Sequence, residues 1–178
     1  FASNNEDNPE HIWTVKYDEA TAGGFNLAMM SLHYSSQLTW NFDEQPWNGY
    51  STLEEFYNSF DDNDKRKTAS FIEGGQLDYG GSDLLDYATD DGDPRLEYTP
   101  YINEIFPDGC RQCGVRPGKF SYKQFGRSNQ SNDFTLVRLG QVYLIRAEAA
   151  ARAAGDWSQA LPDTNIIRAR AGVSGFTS

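Results

Sequence analysis

The sequence predicts a mainly α-helical protein, built on a tetratricopeptide-like helical hairpin that carries large, irregular, aromatic-rich loops. Three observations lead there. Residues 133–172, DFTLVRLGQVYLIRAEAAARAAGDWSQALPDTNIIRARAG, form the only long segment of unbroken helical period, with a stop at each end. Residues 74–110 are dense in Gly, Asp and Tyr, which makes long loops with little helix; such loops are uncommon in compact domains and are often functional. Aromatics reach 14% of a chain that is only 38% hydrophobic, so it is short of aliphatic residues and rich in rings. We treat residues 1–178 as part of one domain, with a loop-rich, ligand-facing region over 1–132 and the hairpin over 133–172.

From the N-terminus, residues 1–10 are polar and turn-like. His11 to Tyr17 alternates well enough for a short strand, with Ile12, Val15 and Tyr17 as β-formers. Gly23-Gly24 breaks the chain, and Asn26 to Ser36 reads as a short helix or a loop. Residues 37–50 have no regular period. Ser51 or Thr52 caps a helix through Phe60, because Leu53, Phe56, Tyr57 and Phe60 share a face and Thr52 with Glu55 fits a capping box. Asp61-Asp62-Asn63-Asp64 is a turn or helix cap. Phe120 to Phe125 is a short strand at most.

In the hairpin, Leu136, Leu139, Tyr143, Ala147, Ala150 and Ala154 recur at steps of three and four and fall on one face. Arg138, Gln141, Glu148 and Arg152 fall on another, with Ile145 as an apolar intruder. Asn132 or Asp133 caps the start, and Gly155 takes the left-handed position after the end. Asp156 or Ser158 caps a second helix with Ala160, Thr164, Ile167 and Ala171 inside and Gly172 after it. Pro162 fits if that helix begins near Ser158, where its missing N–H falls among first-turn donors. The two helices run antiparallel, with Leu136, Leu139, Tyr143, Ala147, Ala150 and Ile167 buried. One such hairpin does not bury its own apolar face, repeat folds of this kind need about three units, and no second copy at a period of about 34 residues is present. Residues 1–178 alone are therefore expected to be unstable or to belong to a larger assembly.

The charge narrows the function. Fifteen Lys and Arg against 26 Asp and Glu leave a net charge of −11, which repels nucleic acid and anionic membranes. No stretch approaches the roughly 20 apolar residues of a membrane helix. The Cys110-x-x-Cys113 pair sits among Gly109, Gly114, Pro117 and Gly118, hence in a loop. A stapling disulfide is expected; free thiols, or a metal or redox role, are the alternatives. Only His11 and His33 are available as further zinc ligands, without paired spacing. His11 reads as a structural histidine.

No motif singles out catalysis or a cofactor. An EF-hand loop begun at Asp61 places Lys65 at its fifth position, and one begun at Asp91 places Arg95 there; both fail. An irregular calcium site at Asp61–Asp64 or Asp90–Asp93 competes with turn chemistry and ion pairs such as Asp64 with Arg66 or Asp93 with Arg95. The glycines of EGGQLDYGG match no nucleotide loop, and no G-x-S-x-G elbow is present. With 26 acids, no carboxylate pair stands out for glycoside hydrolysis. We expect no cofactor, no metal site and no catalytic residue.

Rings beside polar side chains are the positive signal. A sugar ring offers a C–H face to an aromatic and hydroxyls to amides and charged groups. HYSSQLTWNFDEQPWNGY holds both kinds of group within eighteen residues. The candidate ligand-binding residues are Trp40, Tyr34, His33, Asn41 and Tyr50, with Trp40 exposed in a polar loop and Trp47 holding that loop in place. Trp157 reads as structural. Trp13 is open to either reading.

The run VRLGQVYLIRAEAAARAAGDWSQALPDTNIIRARAG resembles the signature of the SusD/RagB family, surface glycan-binding lipoproteins of Gram-negative polysaccharide-utilisation systems. The matching elements are Arg138, Leu144 to Ala149, Gly155, Ala160, Asn165 to Ile167 and Arg168 to Gly172. Upstream, PWNGYSTLEEFYNSFDDNDKRKTASFIEG (46–74) and NPEHIWTVKYD (8–18) resemble the family's middle region and the segment before it. Gly140-Gln141 in place of Ala-Glu, and Pro162 within the second helix, depart from the pattern. The resemblance implies an internal piece of a longer protein, anchored by lipid at the outer-membrane surface. It also implies non-catalytic capture of oligosaccharide or polysaccharide for a TonB-dependent, SusC-like transporter. A helical-repeat module that binds protein or peptide is the alternative.

Overall fold

The computed structural model describes residues 5–88 and 95–177. Among the described residues, six α-helices, two 3₁₀ turns and six short strands are set among long loops, and helix outweighs strand. The calcium alternative at Asp90–Asp93, and with it the Asp93 side of the Asp93–Arg95 pair, lies outside the described residues.

Strand β1 (His11–Val15) forms where the alternation predicts it. Its partner is β6 (Phe134–Arg138), antiparallel, with His11 opposite Arg138 and Val15 opposite Phe134. This corrects the N-terminal end of the hairpin, for residues 134–138 are strand and not helix. Phe134, Thr135 and Val137 favour a pleated backbone, and β1 supplies the ladder that local periodicity cannot reveal. Asp133 is not a helix cap. Its side chain, buried, accepts from the Tyr17 N–H at 3.2 Å and pairs with Lys16 at 2.6 Å, while its backbone exchanges hydrogen bonds with the Asn5 side chain.

Helix α5 therefore starts later, over Leu139–Ala154, and its buried residues are Gly140, Ala147 and Ala151. The buried face is rotated from the expected one. Ala147 is common to both, but Leu136, Leu139 and Ala150 are exposed and Tyr143 is half-buried. Leu136 lost its place because a strand residue has no helical phase. Gly155 ends α5 at φ 64°, its N–H reaching the carbonyls of Ala151 and Arg152. Asp156 caps a 3₁₀ turn over Trp157–Ala160, which runs into α6 (Leu161–Ala171) with Pro162 in its first turn and Gly172 left-handed after it. Trp157 is exposed rather than structural. Arg146 grips Asp163 through two 2.6 Å hydrogen bonds, and Ile167 and Arg170 approach Gly140. Earlier residues of α5 thus meet later ones of α6, so the two helices are antiparallel.

The core lies among the short elements, not in the hairpin. Helix α1 (Leu27–Ser31) contributes Ala28 and Met29, which pack with Phe25, Leu32, Phe42, Phe120 and Tyr122. Leu84, Leu96 and Tyr98 form a second cluster, and Ile72 touches both. A 3₁₀ turn over Tyr34–Ser36 leads into α2 (Gln37–Trp40). Helix α3 (Glu54–Asn58) begins after Leu53 with no side-chain cap, so the Thr52 capping box does not form. Of its expected inner face only Tyr57 is buried; Leu53 and Phe56 are exposed. Asp64 does cap α4 (Lys65–Ser70), accepting from the Arg66 N–H and pairing with its guanidinium at 2.5 Å. Two-residue ladders join β2 (Phe71–Ile72) to β5 (Arg116–Pro117) and β3 (Gly74–Gly75) to β4 (Glu97–Tyr98). Phe120 to Phe125 is not a strand; two of its rings enter the core instead.

Candidate functional site

The segment Pro46–Tyr50 is strapped across the end of α1. The N–H groups of Trp47 and Asn48 donate to the carbonyls of Met29 and Leu32, at 2.7 and 3.0 Å, and those of Gly49 and Tyr50 donate to Met30. The approach is so close that a Cβ on Gly49 would stand 2.7 Å from the Met30 oxygen, so only glycine fits. Asn48 sits at φ 53°, a left-handed conformation that asparagine tolerates. Pro46 is buried as the anchor, and the rings of Trp47 and Tyr50 stand out, 50% and 41% exposed.

Beside this strap lies the loop that Cys110 and Cys113 close with a disulfide, their Cα atoms 5.3 Å apart. The Asn103 side chain accepts from the Cys110 N–H at 2.9 Å and donates to the Asp108 carbonyl at 3.0 Å, which pins the loop from within. Asn48 Nδ2 donates to the Arg111 carbonyl at 3.1 Å and ties strap to loop. Arg116 lies behind both. It is 3% exposed, donates to the carbonyls of Arg111 (2.5 Å) and Tyr50 (3.4 Å), and stacks its guanidinium over the Tyr98 ring at 5.0 Å. Burial lowers its pKa, yet from a value so high that the group stays a cation.

Two clefts flank the disulfide loop. One, of about 690 Å³, is bordered by Asp86, Glu97, Asn103, Asp108, Arg111 and Gln112. The other, of about 330 Å³, is bordered by Asn48, Tyr50, Ile102, Glu104, Arg111 and Arg116. Amides, carboxylates and a guanidinium face both, and the exposed side chains of Tyr101, Ile105 and Phe106 stand on the same loop. This mixture suits a ligand with apolar patches and many hydroxyls.

The five expected ligand-binding residues separate. Tyr50 borders the smaller cleft. His33 is fully buried, which corrects its expected role as a surface contact. Its N–H donates to the Tyr98 hydroxyl at 2.9 Å, its Nδ1 accepts from the Ser35 N–H at 3.2 Å, and its Nε2 faces Asp86 Oδ2 at 3.3 Å without good hydrogen-bond alignment. An accepting Nδ1 leaves the proton on Nε2. Burial pushes the imidazole pKa down to about 4, with the Arg116 and Arg111 charges adding to the effect and Asp86 opposing it. His33 is therefore a neutral core residue beneath the Asp86 cleft. Tyr34 is half-buried beside it. Trp40 is half-buried too, stacked on Phe42 at 5.7 Å and edge-on to Tyr122, while Asn41 ends α2 at φ 49°. Tyr34, Trp40 and Asn41 border neither cleft. The packing role expected of Trp47 thus falls to Trp40, and Trp47 is the exposed ring. Sequence reasoning also missed Asn103, Arg111 and Arg116. The signal available was polar Arg111-Gln112 between two cysteines, downstream of Tyr101 and Asn103.

The family model described as the SusD family matches residues 2–178. The chain belongs to the SusD family. Among solved structures it is similar to a SusD superfamily protein from Parabacteroides distasonis, with a TM-score of 0.67 and 18% identity over 99% of this chain and 34% of that one. It is also similar to surface glycan-binding protein A from Bacteroides thetaiotaomicron, solved in complex with laminarihexaose, with a TM-score of 0.62 and 23% identity over 94% of this chain and 37% of that one. A SusD superfamily protein from Bacteroides fragilis matches with a TM-score of 0.62 and 21% identity over 99% of this chain and 34% of that one. The chain spans about a third of the length of these solved relatives. No curated protein matches it. Among the described residues, no helix is long and apolar enough to cross a membrane, and no group of three or more His, Cys, Asp or Glu side chains converges as a metal site requires.

Proposed function

We propose that this chain contributes to the non-catalytic binding of oligosaccharide or polysaccharide at the cell surface, through the clefts on either side of the Cys110–Cys113 loop. One observation carries the reading: Trp47 and Tyr50 stand exposed on a strap tied by backbone hydrogen bonds, next to clefts lined by amides and charged groups. An exposed ring covers the C–H face of a sugar, and the Asn, Asp, Glu and Arg groups of the clefts bond its hydroxyls. Rings held rigidly lose little entropy on binding. Membership of the SusD family and the likeness to glycan-binding proteins support the same reading.

The finer role is delivery of the bound glycan to a TonB-dependent, SusC-like transporter by a lipid-anchored protein of the outer-membrane surface. In this reading the antiparallel α5–α6 pair is one tetratricopeptide-like unit of a larger scaffold. The test is a panel of neutral and acidic polysaccharides, read by calorimetry and by release of reducing ends. Saturable binding without turnover supports the proposal. Turnover, or no binding to any glycan on the panel, overturns it.

A further inference from the structure

The clefts beside the Cys110–Cys113 loop turn their positive groups and amides towards the protein and their carboxylates towards solvent. Four carboxylates border them: Asp86, Glu97 and Asp108 on the larger, and Glu104 on the smaller. All 15 Lys and Arg residues of the chain lie among the described residues, and of these only Arg111 and Arg116 border either cleft. Both guanidiniums are committed to backbone carbonyls. Arg116, 3% exposed, donates to Arg111 and Tyr50, and Arg111, half-buried, donates to Ala88.

The amides are spent in the same way. Asn103 bonds Cys110 and Asp108, and Asn48 Nδ2 bonds the Arg111 carbonyl. Gln112 accepts from the Glu97 N–H at 2.8 Å and donates to Asp86 at 3.3 Å. Glu97, Glu104 and Asp108 are the opposite case. They are exposed, and among the described residues their side chains make no hydrogen bond and no ion pair.

An ionised carboxylate accepts hydrogen bonds and has no proton to donate. The cleft walls therefore present acceptors and hold their donors back. This selects a ligand that is rich in donors and carries no negative charge. A sugar hydroxyl donates to a carboxylate in a short, charge-assisted bond. A uronate or sulfate in the same place sets like charges together, in a concave site that concentrates the field.

We propose that these clefts take neutral oligosaccharides and reject acidic ones, with Glu97, Glu104 and Asp108 as the acceptors that set this specificity. The proposal rests on the clefts being the glycan site and names the class of glycan they admit.

The probes are oligosaccharides of glucose, mannose and galactose in three forms: the parent, the form with C6 oxidised to a carboxylate, and the methyl ester of that carboxylate. Xylan is compared with glucuronoxylan. Calorimetry at low salt is expected to show saturable binding of at least one parent, with its carboxylate form bound about tenfold or more weakly and its ester close to the parent. Added salt narrows the gap, because screening acts on the repulsion. The triple variant Glu97→Gln, Glu104→Gln, Asp108→Asn, shown by its melting curve to be folded, narrows it as well. It keeps affinity for the parent within about threefold, since an amide oxygen still accepts from hydroxyls. Trp47→Ala weakens parent and ester alike, which places both in these clefts. Equal binding of parent and carboxylate form, an ester bound as poorly as the carboxylate, or a gap that neither salt nor the triple variant alters would each overturn the proposal. Binding of acidic forms alone would overturn it and leave the glycan site standing, whereas binding of no form would overturn both.

Discussion

Asn48 donates its side-chain amide to the carbonyl of Arg111, 3.1 Å away, and this bond joins the aromatic strap to the disulfide loop across 63 residues of sequence. Arg116 accompanies it, holding the Arg111 and Tyr50 carbonyls together from below. The proposed site therefore depends on a few polar ties between loops, which allow ligand affinity and global stability to be separated by mutation.

Trp47→Ala is expected to weaken oligosaccharide binding by about 1–3 kcal/mol, the scale of one aromatic side chain's apolar contact. Its stability should change by less than about 1 kcal/mol, because the ring is half exposed. Trp40→Ala should do the reverse, costing about 2 kcal/mol through lost contacts with Phe42 and Tyr122 and leaving affinity nearly intact. Calorimetry with a polysaccharide that the wild type binds, together with thermal melts, checks both. Equal affinity loss in the two variants would return Trp40 to the site.

Reducing the disulfide, or replacing Cys110 and Cys113 by serine, should lower ligand affinity more than stability. The ring closed is short, with a sequence separation of 3, so its entropic contribution is at most about 2 kcal/mol. The cleft walls on both sides share this loop. Titration of glycan with and without reductant reads the effect. Unchanged affinity after complete reduction would separate the loop from the site.

His33 makes stability depend on pH. Its folded pKa, near 4, lies below the ordinary 6.5, so between those values the unfolded chain binds more protons. Stability is then full above about pH 6.5 and falls as pH drops towards 4, by up to about 3 kcal/mol. His33→Asn should be less stable at neutral pH but flat over this window. Denaturant melts at pH 7, 5.5 and 4 compare the two. A slope in the variant equal to that of the wild type would assign the dependence to other groups.

Two glycines should respond in opposite directions. At Gly140 a Cβ would meet Ile167 and Arg170 at ordinary contact distances of 3.7 and 3.8 Å, so Gly140→Ala should stabilise α5 by about 0.5–1 kcal/mol. Gly49→Ala drives a Cβ against the Met30 carbonyl and should cost about 1–3 kcal/mol, with loss of affinity as the strap lifts. Melting temperatures of the two variants give the signs directly.

The sequence by itself determined what is local. The β1 alternation, the glycine stops after α5 and α6, the late start that Pro162 requires and the Asp64 cap all depend on neighbours a few residues away, and all are found. The loop character of the described residues between 74 and 110, where only two two-residue strands form, and the family resemblance were legible for the same reason. What only the tertiary structure decided are the outcomes of contacts distant along the chain. Residues 134–138 became strand because β1, more than a hundred residues earlier, offered a ladder, and the buried face of α5 turned with that change. His33 went inside because Tyr98 and Asp86 were waiting there, and Trp40 turned inward because Phe42 and Tyr122 formed a wall for it. Trp47 stayed out because the Met29 carbonyl holds its N–H, and the carbonyls of Met30 and Leu32 hold the N–H groups of the three residues after it, so the strap is tied down with the ring facing outward. An aromatic in a polar loop has no periodicity that shows which way it points. The free energy of its burial is set by whichever distant surface the fold brings to it.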